Sequence, residues 1–351
     1  MPRAHFLIVG SGLIGTSIAL ALIGKGHTVE LEDADADSLK LAKDLVGKSF
    51  VQKKPDFVIV ATPPDSIFET LKTKYELFPS ATFIDVGSVK TKLLQEVESF
   101  TELSERFVGT HPMAGREFSG AASAQSDLFN GRAWILVPTK NTEPKLVSVV
   151  AELVETLGAT AYQMDGLSHD ALLARISHLP QALSTSLAGS LLDIGPGMEL
   201  SGQGLRDTTR LADSDAHLWS EIFIANQDAV LEAIENFSKQ LQKLEVAIAS
   251  SNPKEIVKIF SEGKAGRSRV SGKHGAQPRD YVNLMIVIKD EPGALKKLFE
   301  ECAEVNANIE DLSIEHSPKQ ETGLITLSFS EEDSQRVIEH LKQRQWKVHI
   351  R

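Results

Sequence analysis

Reactive side chains follow two apolar runs in the first half of the sequence. His111 comes directly after the run 107–110 and lies between two glycines. An imidazole at the carboxyl end of a buried strand is suited to general-base work, although a turn histidine that bonds backbone groups would look the same. Ser88 follows the run 81–86. It is placed either to bond a ligand or to cap the helix that begins after it.

A second group of candidates lies further along the chain. Arg206 and Arg210 are four residues apart, so on a helix they would share one face and could clamp a dicarboxylate. The alternative is a solvated basic face. His169 and His178 are nine residues apart on one predicted helix, which puts them on opposite sides of it.

A glycine-rich turn near the N-terminus has the spacing of a dinucleotide-binding loop. Gly10, Gly12 and Gly15 form G-x-G-x-x-G between an apolar strand and a helix. Asp33 ends the next strand, where a carboxylate meets a ribose 2′-hydroxyl and repels a 2′-phosphate, which favours NAD over NADP. The predicted cofactor-binding residues are Gly10, Ser11, Gly12, Leu13, Ile14, Gly15, Asp33 and Thr62.

The elements that would position these residues change character along the chain. Strands and helices alternate over residues 1–165, which predicts an α/β domain with a doubly wound, mostly parallel sheet. Residues 166–262 predict an all-helical domain. A glycine-rich basic linker over 263–280 follows, and residues 281–351 show the order β-α-β-β-α-β of a ferredoxin-like domain.

Composition limits the possible partners. The chain has 351 residues and a formal net charge of −11, which argues against nucleic acid and anionic membranes as partners. The single cysteine fits a reducing compartment, and the sequence shows neither a signal peptide nor an apolar run long enough to span a bilayer. We therefore expect a cytoplasmic protein, without a metal.

Five motifs together resemble the prephenate dehydrogenase family over the first 262 residues or so. They are G-S-G-L-I-G-T-S, D-V-G-S-V-K, G-T-H-P-M-A-G, I-S-H-L-P and G-L-R-D-T-T-R-L-A. The resemblance implies NAD-dependent oxidative decarboxylation of prephenate to 4-hydroxyphenylpyruvate in tyrosine biosynthesis. Residues 281–351, with D-E-P-G-A-L, resemble an ACT domain, the amino-acid-sensing module of some family members.

The resemblance also implies roles for single residues. His111 would take or polarise the substrate hydroxyl proton. Ser88 would orient the histidine, the hydroxyl and the nicotinamide. Arg210 would hold a substrate carboxylate, with Arg206 adding positive field, and Asp170 would restrain Arg210 through an ion pair. The remaining expected pocket or supporting residues are His178, Glu117, Trp219 and His169.

The ACT resemblance implies feedback inhibition by tyrosine. The expected ligand-binding residues are Asp290, Gly293, Ala294 and Asn308, with Asn308 at the start of the second strand. The alternative is that residues 281–351 form a dimerisation module without a ligand.

The long helical segment at residues 166–262 suggests a homodimer that forms through that region.

Several alternatives stay open on the sequence alone. Arg116 departs from the small or neutral residue expected before Glu117, which leaves substrate preference undecided. Arogenate would replace prephenate if the enzyme prefers an amino group over a keto group. If the protein is not an enzyme, it could be a sensor that binds a dinucleotide and an amino acid without turnover.

Overall fold

The structure is a computed structural model that describes residues 2–47, 54–115, 120–270, 281–289, 291–316 and 322–350. The chain forms two compact units, Met1–Gln242 and Lys243–Arg351. Among the described residues, no helix combines the length and the apolarity that crossing a membrane requires.

A seven-stranded sheet forms the centre of the first unit. Its strands are β1 His5–Val9, β2 Thr28–Glu32, β3 Phe57–Val60, β4 Thr82–Asp85, β5 Phe107–Pro112, β6 Ala133–Pro138 and β7 Thr160–Gln163. Their order is β2-β1-β3-β4-β5-β6-β7, with every neighbouring pair parallel except β5 and β6. The carboxyl ends of β1, β3, β4 and β5 therefore meet at one edge of the sheet, as the predicted Rossmann-like arrangement requires.

Helices cover both faces of this sheet. They are α1 Leu13–Gly24, α2 Ala36–Val46, α3 Ile67–Leu77, α4 Thr91–Glu98, α5 Thr101–Arg106 and α6 Pro144–Thr156. Alternate residues of β1 enter different clusters of buried side chains, because side chains of a strand point to opposite faces. Phe6 packs with residues of α1, α2 and α6, whereas Leu7 packs with residues of α3, α4 and α5.

The helical segment begins at the end of the sheet. Its helices are α7 Gly166–Leu173, α8 Leu179–Gly189, α9 Gln203–Thr209, α10 Ala216–Ala225, α11 Gln227–Ala249 and α12 Pro253–Arg267. A π-helical turn, Ala174–His178, joins α7 to α8. Leu173 is fully buried in the cluster that contains Val97 and Ile135. The sheet and the start of the helical segment thus share a core, which explains why the first compact unit runs past residue 165.

The second unit contains a four-stranded antiparallel sheet. In chain order its elements are β8 Val282–Lys289, α13 Ala294–Glu304, β9 Asp311–His316, β10 Thr322–Phe329, α14 Glu331–Gln343 and β11 Val348–Ile350. The strand order is β11-β8-β10-β9. Leu298 and Leu341 bring the two helices into the buried cluster of the sheet. His340 Nε2 lies 2.6 Å from Glu301 Oε2 and links α14 to α13.

Three boundaries differ from the sequence prediction. Helix α12 continues through Arg267, into the predicted linker, because Gly263 and Gly266 tolerate helical backbone when flanked by helix-forming residues. Strand β9 begins at Asp311, so Asn308 precedes it. Strand β5 includes His111, whose backbone pairs with Ile135 of β6.

Gly15 offers a test of the contact between α1 and β1. A Cβ atom at Gly15 would lie 2.0 Å from the carbonyl oxygen of Gly10, whereas one at Gly24, in the same helix, would meet nothing within 4 Å. We expect Gly15→Ala to lower the free energy of unfolding by about 1–3 kcal/mol through overpacking. Gly24→Ala should leave it unchanged or raise it by up to about 1 kcal/mol. Urea unfolding of both variants checks this, and equal midpoints would show that α1 can move away from β1 at little cost.

Candidate active site

The glycine turn lies at the carboxyl edge of the sheet, between β1 and α1. Gly10 has φ +105°, and a Cβ atom there would lie 2.4 Å from the carbonyl oxygen of Ala61, just after β3. Gly12 precedes the first residue of α1, and a Cβ atom there would meet nothing within 4 Å. The turn is therefore packed against the sheet at Gly10 and open at Gly12. The open side presents the N-terminal end of α1, which favours an anionic group.

Asp33 is tied to this turn. Its Oδ2 accepts hydrogen bonds from the backbone N–H of Ser11 at 2.6 Å and from the Ser11 hydroxyl at 2.7 Å. Burial alone would raise the pKa of Asp33, but the hydrogen bonds from Ser11 and Asp35 lower it below its usual range. The side chain therefore carries a negative charge next to the glycine turn.

A cleft of about 390 Å³ opens beside Asp33. Its lining residues are Val9, Glu32, Asp33, Ala34, Ser66, Glu69, Thr70, Thr73 and Lys74. Lys74 forms an ion pair with Glu32. Thr62, in the turn after β3, has a buried hydroxyl without a hydrogen-bond partner in the described structure. The open glycine, the ionised Asp33 and the unpartnered Thr62 hydroxyl fit a dinucleotide along this edge.

His111 lies at the same edge, near the end of β5. Its Nδ1 is 2.9 Å from Nε2 of His169, and Nδ1 of His169 is 2.7 Å from Oδ1 of Asp170. His111 is half-buried, whereas His169 and Asp170 of α7 are buried. The structure thus joins two predicted supporting residues to the predicted base in one chain of contacts.

Asp170 also holds the beginning of α4. The backbone N–H groups of Lys90 and Thr91 donate to its carboxylate at 2.9 and 2.7 Å. Asp170 therefore caps the start of α4 in addition to its contact with His169. The expected ion pair between Asp170 and Arg210 stays a prediction. Ser88 precedes Lys90, which occupies the N-cap position, and is therefore not the cap of α4. Between the described residues His111 and Ser88, no hydrogen bond is formed.

A buried ion pair that the sequence analysis missed lies beneath this site. Lys90 Nζ is 2.5 Å from Oδ2 of Asp85, and both side chains are 0% exposed. Asp85 also accepts from the backbone N–H of Gly87 at 2.8 Å and of Thr110 at 3.2 Å. Asp85 ends β4 and Thr110 precedes His111, so this cluster fixes the two strand ends to each other. The signal available in the sequence was the pair of opposite charges at the two ends of the short stretch D-V-G-S-V-K.

His178 lies close enough to His111 and His169 for their charges to interact, although α-helical spacing predicted opposite sides of the helix for His169 and His178. Asn226 Nδ2 donates to the backbone oxygen of Asp170 at 2.9 Å and lies 3.2 Å from His178 Nδ1. The π-helical turn 174–178 lies between the two histidines. It widens the helix and turns the following residues less far around its axis than an α-helix does, so nine residues no longer place His169 and His178 on opposite sides. Asn226 itself had no signal in the sequence.

Two histidines of this site, His111 and His178, have pKa values below the ordinary range. Burial lowers the pKa of His111 well below its usual value. The positive charge of Lys90 and the neighbouring His169 and His178 lower it further, against the opposing effect of Asp170. Burial lowers the pKa of His178 to about 4. Burial would raise the pKa of Asp170, but hydrogen bonds from His169, Thr91 and Lys90 lower it. Near neutral pH the imidazoles of His111 and His178 are therefore neutral and the carboxylate of Asp170 is ionised.

The predicted arginine pair is only partly helical. Helix α9 ends at Thr209, and Arg210 begins a 3₁₀ turn, so the two arginines do not share the face of one α-helix. The Arg206 guanidinium bonds the Ser201 carbonyl at 2.9 Å and the Gln203 side chain at 3.2 Å, within its own segment. Both arginines are exposed.

The remaining predicted residues are distributed as follows. Trp219 lies on α10 with its ring centroid 6.0 Å from that of His178. Glu117 and Asp290 are outside the described residues. Gly293 and Ala294 line a second cavity of about 380 Å³ in the second unit. Asn308 is not among the residues that line this cavity, and its side-chain amide donates to Glu310 Oε1 at 2.9 Å.

Comparison with known proteins assigns most of the chain. Residues 18–163 match the family model described as "Prephenate dehydrogenase, nucleotide-binding domain", and residues 165–262 match "Prephenate dehydrogenase, dimerization domain". Prephenate dehydrogenase of Lactococcus lactis subsp. cremoris is 30% identical over 308 residues, 83% of this chain and 84% of the relative.

Solved structures agree in fold. Prephenate dehydrogenase from A. aeolicus, in complex with hydroxyphenyl propionate and NAD+, is 33% identical with a TM-score of 0.70, covering 76% of this chain and 98% of that chain. Synechocystis arogenate dehydrogenase is 26% identical with a TM-score of 0.66, covering 76% and 99%. The chain belongs to the prephenate dehydrogenase family and is an NAD-dependent oxidoreductase of aromatic amino acid biosynthesis.

Proposed function

We propose that this enzyme converts prephenate to 4-hydroxyphenylpyruvate and carbon dioxide in tyrosine biosynthesis. The observation that carries the proposal is the position of His111 at the sheet edge that also holds the glycine turn and Asp33. Its lowered pKa keeps the imidazole neutral, as a base must be. The A. aeolicus structure with NAD+ and hydroxyphenyl propionate is the supporting comparison.

In the proposed reaction His111 takes the proton of the substrate ring hydroxyl. Bound NAD supplies the acceptor for the hydride from the carbon that bears this hydroxyl. The bond to the ring carboxylate breaks, carbon dioxide leaves with its electron pair left in the ring, and the ring becomes aromatic. The proton on His111 then returns to the ring oxygen, so the enzyme ends in its starting state.

The other residues of the site would bind and orient the substrate. We propose that Arg210 holds a carboxylate, because a guanidinium forms bidentate bonds to one, and that Arg206 adds positive field. Ser88, between β4 and α4, would bond the ring hydroxyl or the cofactor amide. His178 and Trp219, whose rings are in contact, would form a wall of the substrate pocket.

Two alternatives to prephenate dehydrogenase activity can be distinguished by experiment. Arogenate is the first, since the Synechocystis relative is an arogenate dehydrogenase. A non-catalytic sensor is the second, and it needs no base at the sheet edge. NADH formation measured separately with prephenate and with arogenate separates the three, because the sensor gives no NADH with either compound.

His111 provides the sharpest test of the chemistry. We expect prephenate to support NADH formation and His111→Asn to lower kcat by about 10²–10⁴, because loss of a general base acts in the transition state. NAD affinity should stay unchanged, since His111 lies outside the cleft beside Asp33. Initial rates and NAD titration by fluorescence measure both quantities. Normal turnover by this variant would remove the base assignment.

Asp33 provides a test of cofactor choice. We expect Asp33→Ser to lower the ratio of kcat/KM for NAD to that for NADP by roughly 10–100-fold, since a repelling carboxylate and a contact to the ribose are both lost. Asp37→Ser is the matched control, because it removes an exposed charge at the start of α2 outside the cleft. A wild-type enzyme that prefers NADP would contradict the assignment.

We propose further that residues 281–351 form an ACT domain that binds tyrosine, and that the enzyme is a homodimer through its helical segment. The order β-α-β-β-α-β and the antiparallel sheet β11-β8-β10-β9 support the first part. The cavity of about 380 Å³ at the start of α13 supports a ligand there. The match to a dimerization domain supports the second part.

Gly293 offers a test of the tyrosine site. It has φ +89° in the loop that begins α13, so a side chain there strains the loop. We expect millimolar tyrosine to inhibit the wild-type enzyme and Gly293→Ala to raise the half-inhibitory concentration about tenfold. Gly263→Ala is the control, because that glycine lies in α12 with open space around it. Unchanged rates together with no heat of binding in calorimetry would leave the domain without this ligand.

A further inference from the structure

The contacts of Asp170 determine where the protons of two histidines lie. An ionised carboxylate can only accept hydrogen bonds. Its partners are the backbone N–H groups of Lys90 and Thr91 and the Nδ1 atom of His169, at 2.7 to 2.9 Å. Because the contact with His169 needs a donor, Nδ1 of His169 carries a proton.

The proton positions on His169 and His111 follow from the contacts between them. When His169 carries its single ring proton on Nδ1, bonded to Asp170, its Nε2 accepts from Nδ1 of His111, 2.9 Å away. We infer that His169 and Asp170 are positioning residues, which hold His111 in the tautomer with a proton on Nδ1 and leave its Nε2 as the atom that takes the substrate proton. This inference rests on the proposed function of His111 as the base.

The arrangement also supports the charged state of His111. When Nε2 of His111 takes the hydroxyl proton, the imidazolium keeps its Nδ1–H bond to His169, which is in turn bonded to the negative Asp170. The proton returns from Nε2 to the ring oxygen when the aromatic product forms, so no proton passes along the two histidines. The groups that face His111 are Lys90 of the α4 start, His169 and Asp170 of α7, and His178 of the π-helical turn. Of these, Asp170 alone favours the imidazolium.

The alternative is that Asp170 serves only to cap α4. The two roles can be separated, because His169→Phe removes the contact to His111 and leaves the bonds of Asp170 to Lys90 and Thr91 in place. Asp170→Asn disturbs both roles. Its amide nitrogen can also donate to His169 and reverse the tautomers, which places a proton on Nε2 of His111. His349→Phe is the matched control, because His349 is exposed on β11.

The kinetic test measures kcat and KM across pH with prephenate and NAD. We expect His169→Phe to lower kcat by about 10–100-fold with both KM values within about twofold, since a positioning residue acts on the base rather than on binding. The acidic limb of the kcat profile should move to lower pH, because the imidazolium loses its acceptor. The double variant with Asp170→Asn should lose little more than the single variants. Wild-type kcat and an unshifted profile in His169→Phe would overturn the inference.

A second measurement does not depend on turnover. Two-bond ¹⁵N–¹H spectra of full-length protein labelled in histidine report which ring nitrogen is protonated, with His111→Asn identifying the His111 signals. We expect Nδ1–H and an unprotonated Nε2 for His111. A proton on Nε2 with Nδ1 unprotonated would overturn the inference. If the wild-type enzyme forms no NADH from prephenate, the proposed function fails, while these spectra still decide the tautomer.

Discussion

One buried carboxylate, that of Asp170, connects the two structural parts of the site. It belongs to the first helix after the sheet, yet it accepts from the backbone at the start of α4 and lies against His169. Removing a charge from water is costly unless hydrogen bonds compensate, and three donors do so here. Because the same oxygens serve the sheet side and the helical side, α7 cannot move from the sheet edge without leaving this charge unpaired.

The sheet explains why the cofactor turn and the base lie at the same edge. Strands β1, β3, β4 and β5 are parallel neighbours, so the glycine turn, Thr62 and Ser88 follow carboxyl ends at the edge where His111 lies near the end of β5. Strand β6 reverses direction next to β5 and pairs with it as far as Pro112. This pairing holds His111 on a strand rather than on a loop, which limits the motion of its backbone.

Much of this arrangement could be predicted from the sequence. The runs of aliphatic residues identified the strands, and the glycine spacing identified the turn that the structure shows at Gly10 and Gly15. The sequence could not show contacts between residues far apart in the chain, such as Asp170 with Lys90. The π-helical turn was also missed, because hydrophobic spacing assumes one helical period throughout. Because of this irregularity, the nine residues from His169 to His178 do not make two and a half α-helical turns.

Asn226 and the Asp85–Lys90 pair illustrate a second limit. An asparagine between two helices looks like an ordinary helix boundary, and its bonds to His178 and to Asp170 depend on packing that no local pattern encodes. Likewise, Asp85 and Lys90 are separated by a turn, and only the depth of the strand ends makes both fully buried.

The burial of Asp85 and Lys90 restricts which substitutions can be accepted at these two positions during evolution. Replacing either partner alone leaves the other as an uncompensated charge in the interior, at a cost of about 3–5 kcal/mol, whereas replacing both removes that charge. A lineage could therefore leave the present pair only by two nearly simultaneous changes. The two positions should accordingly vary together or not at all among descendants of this chain.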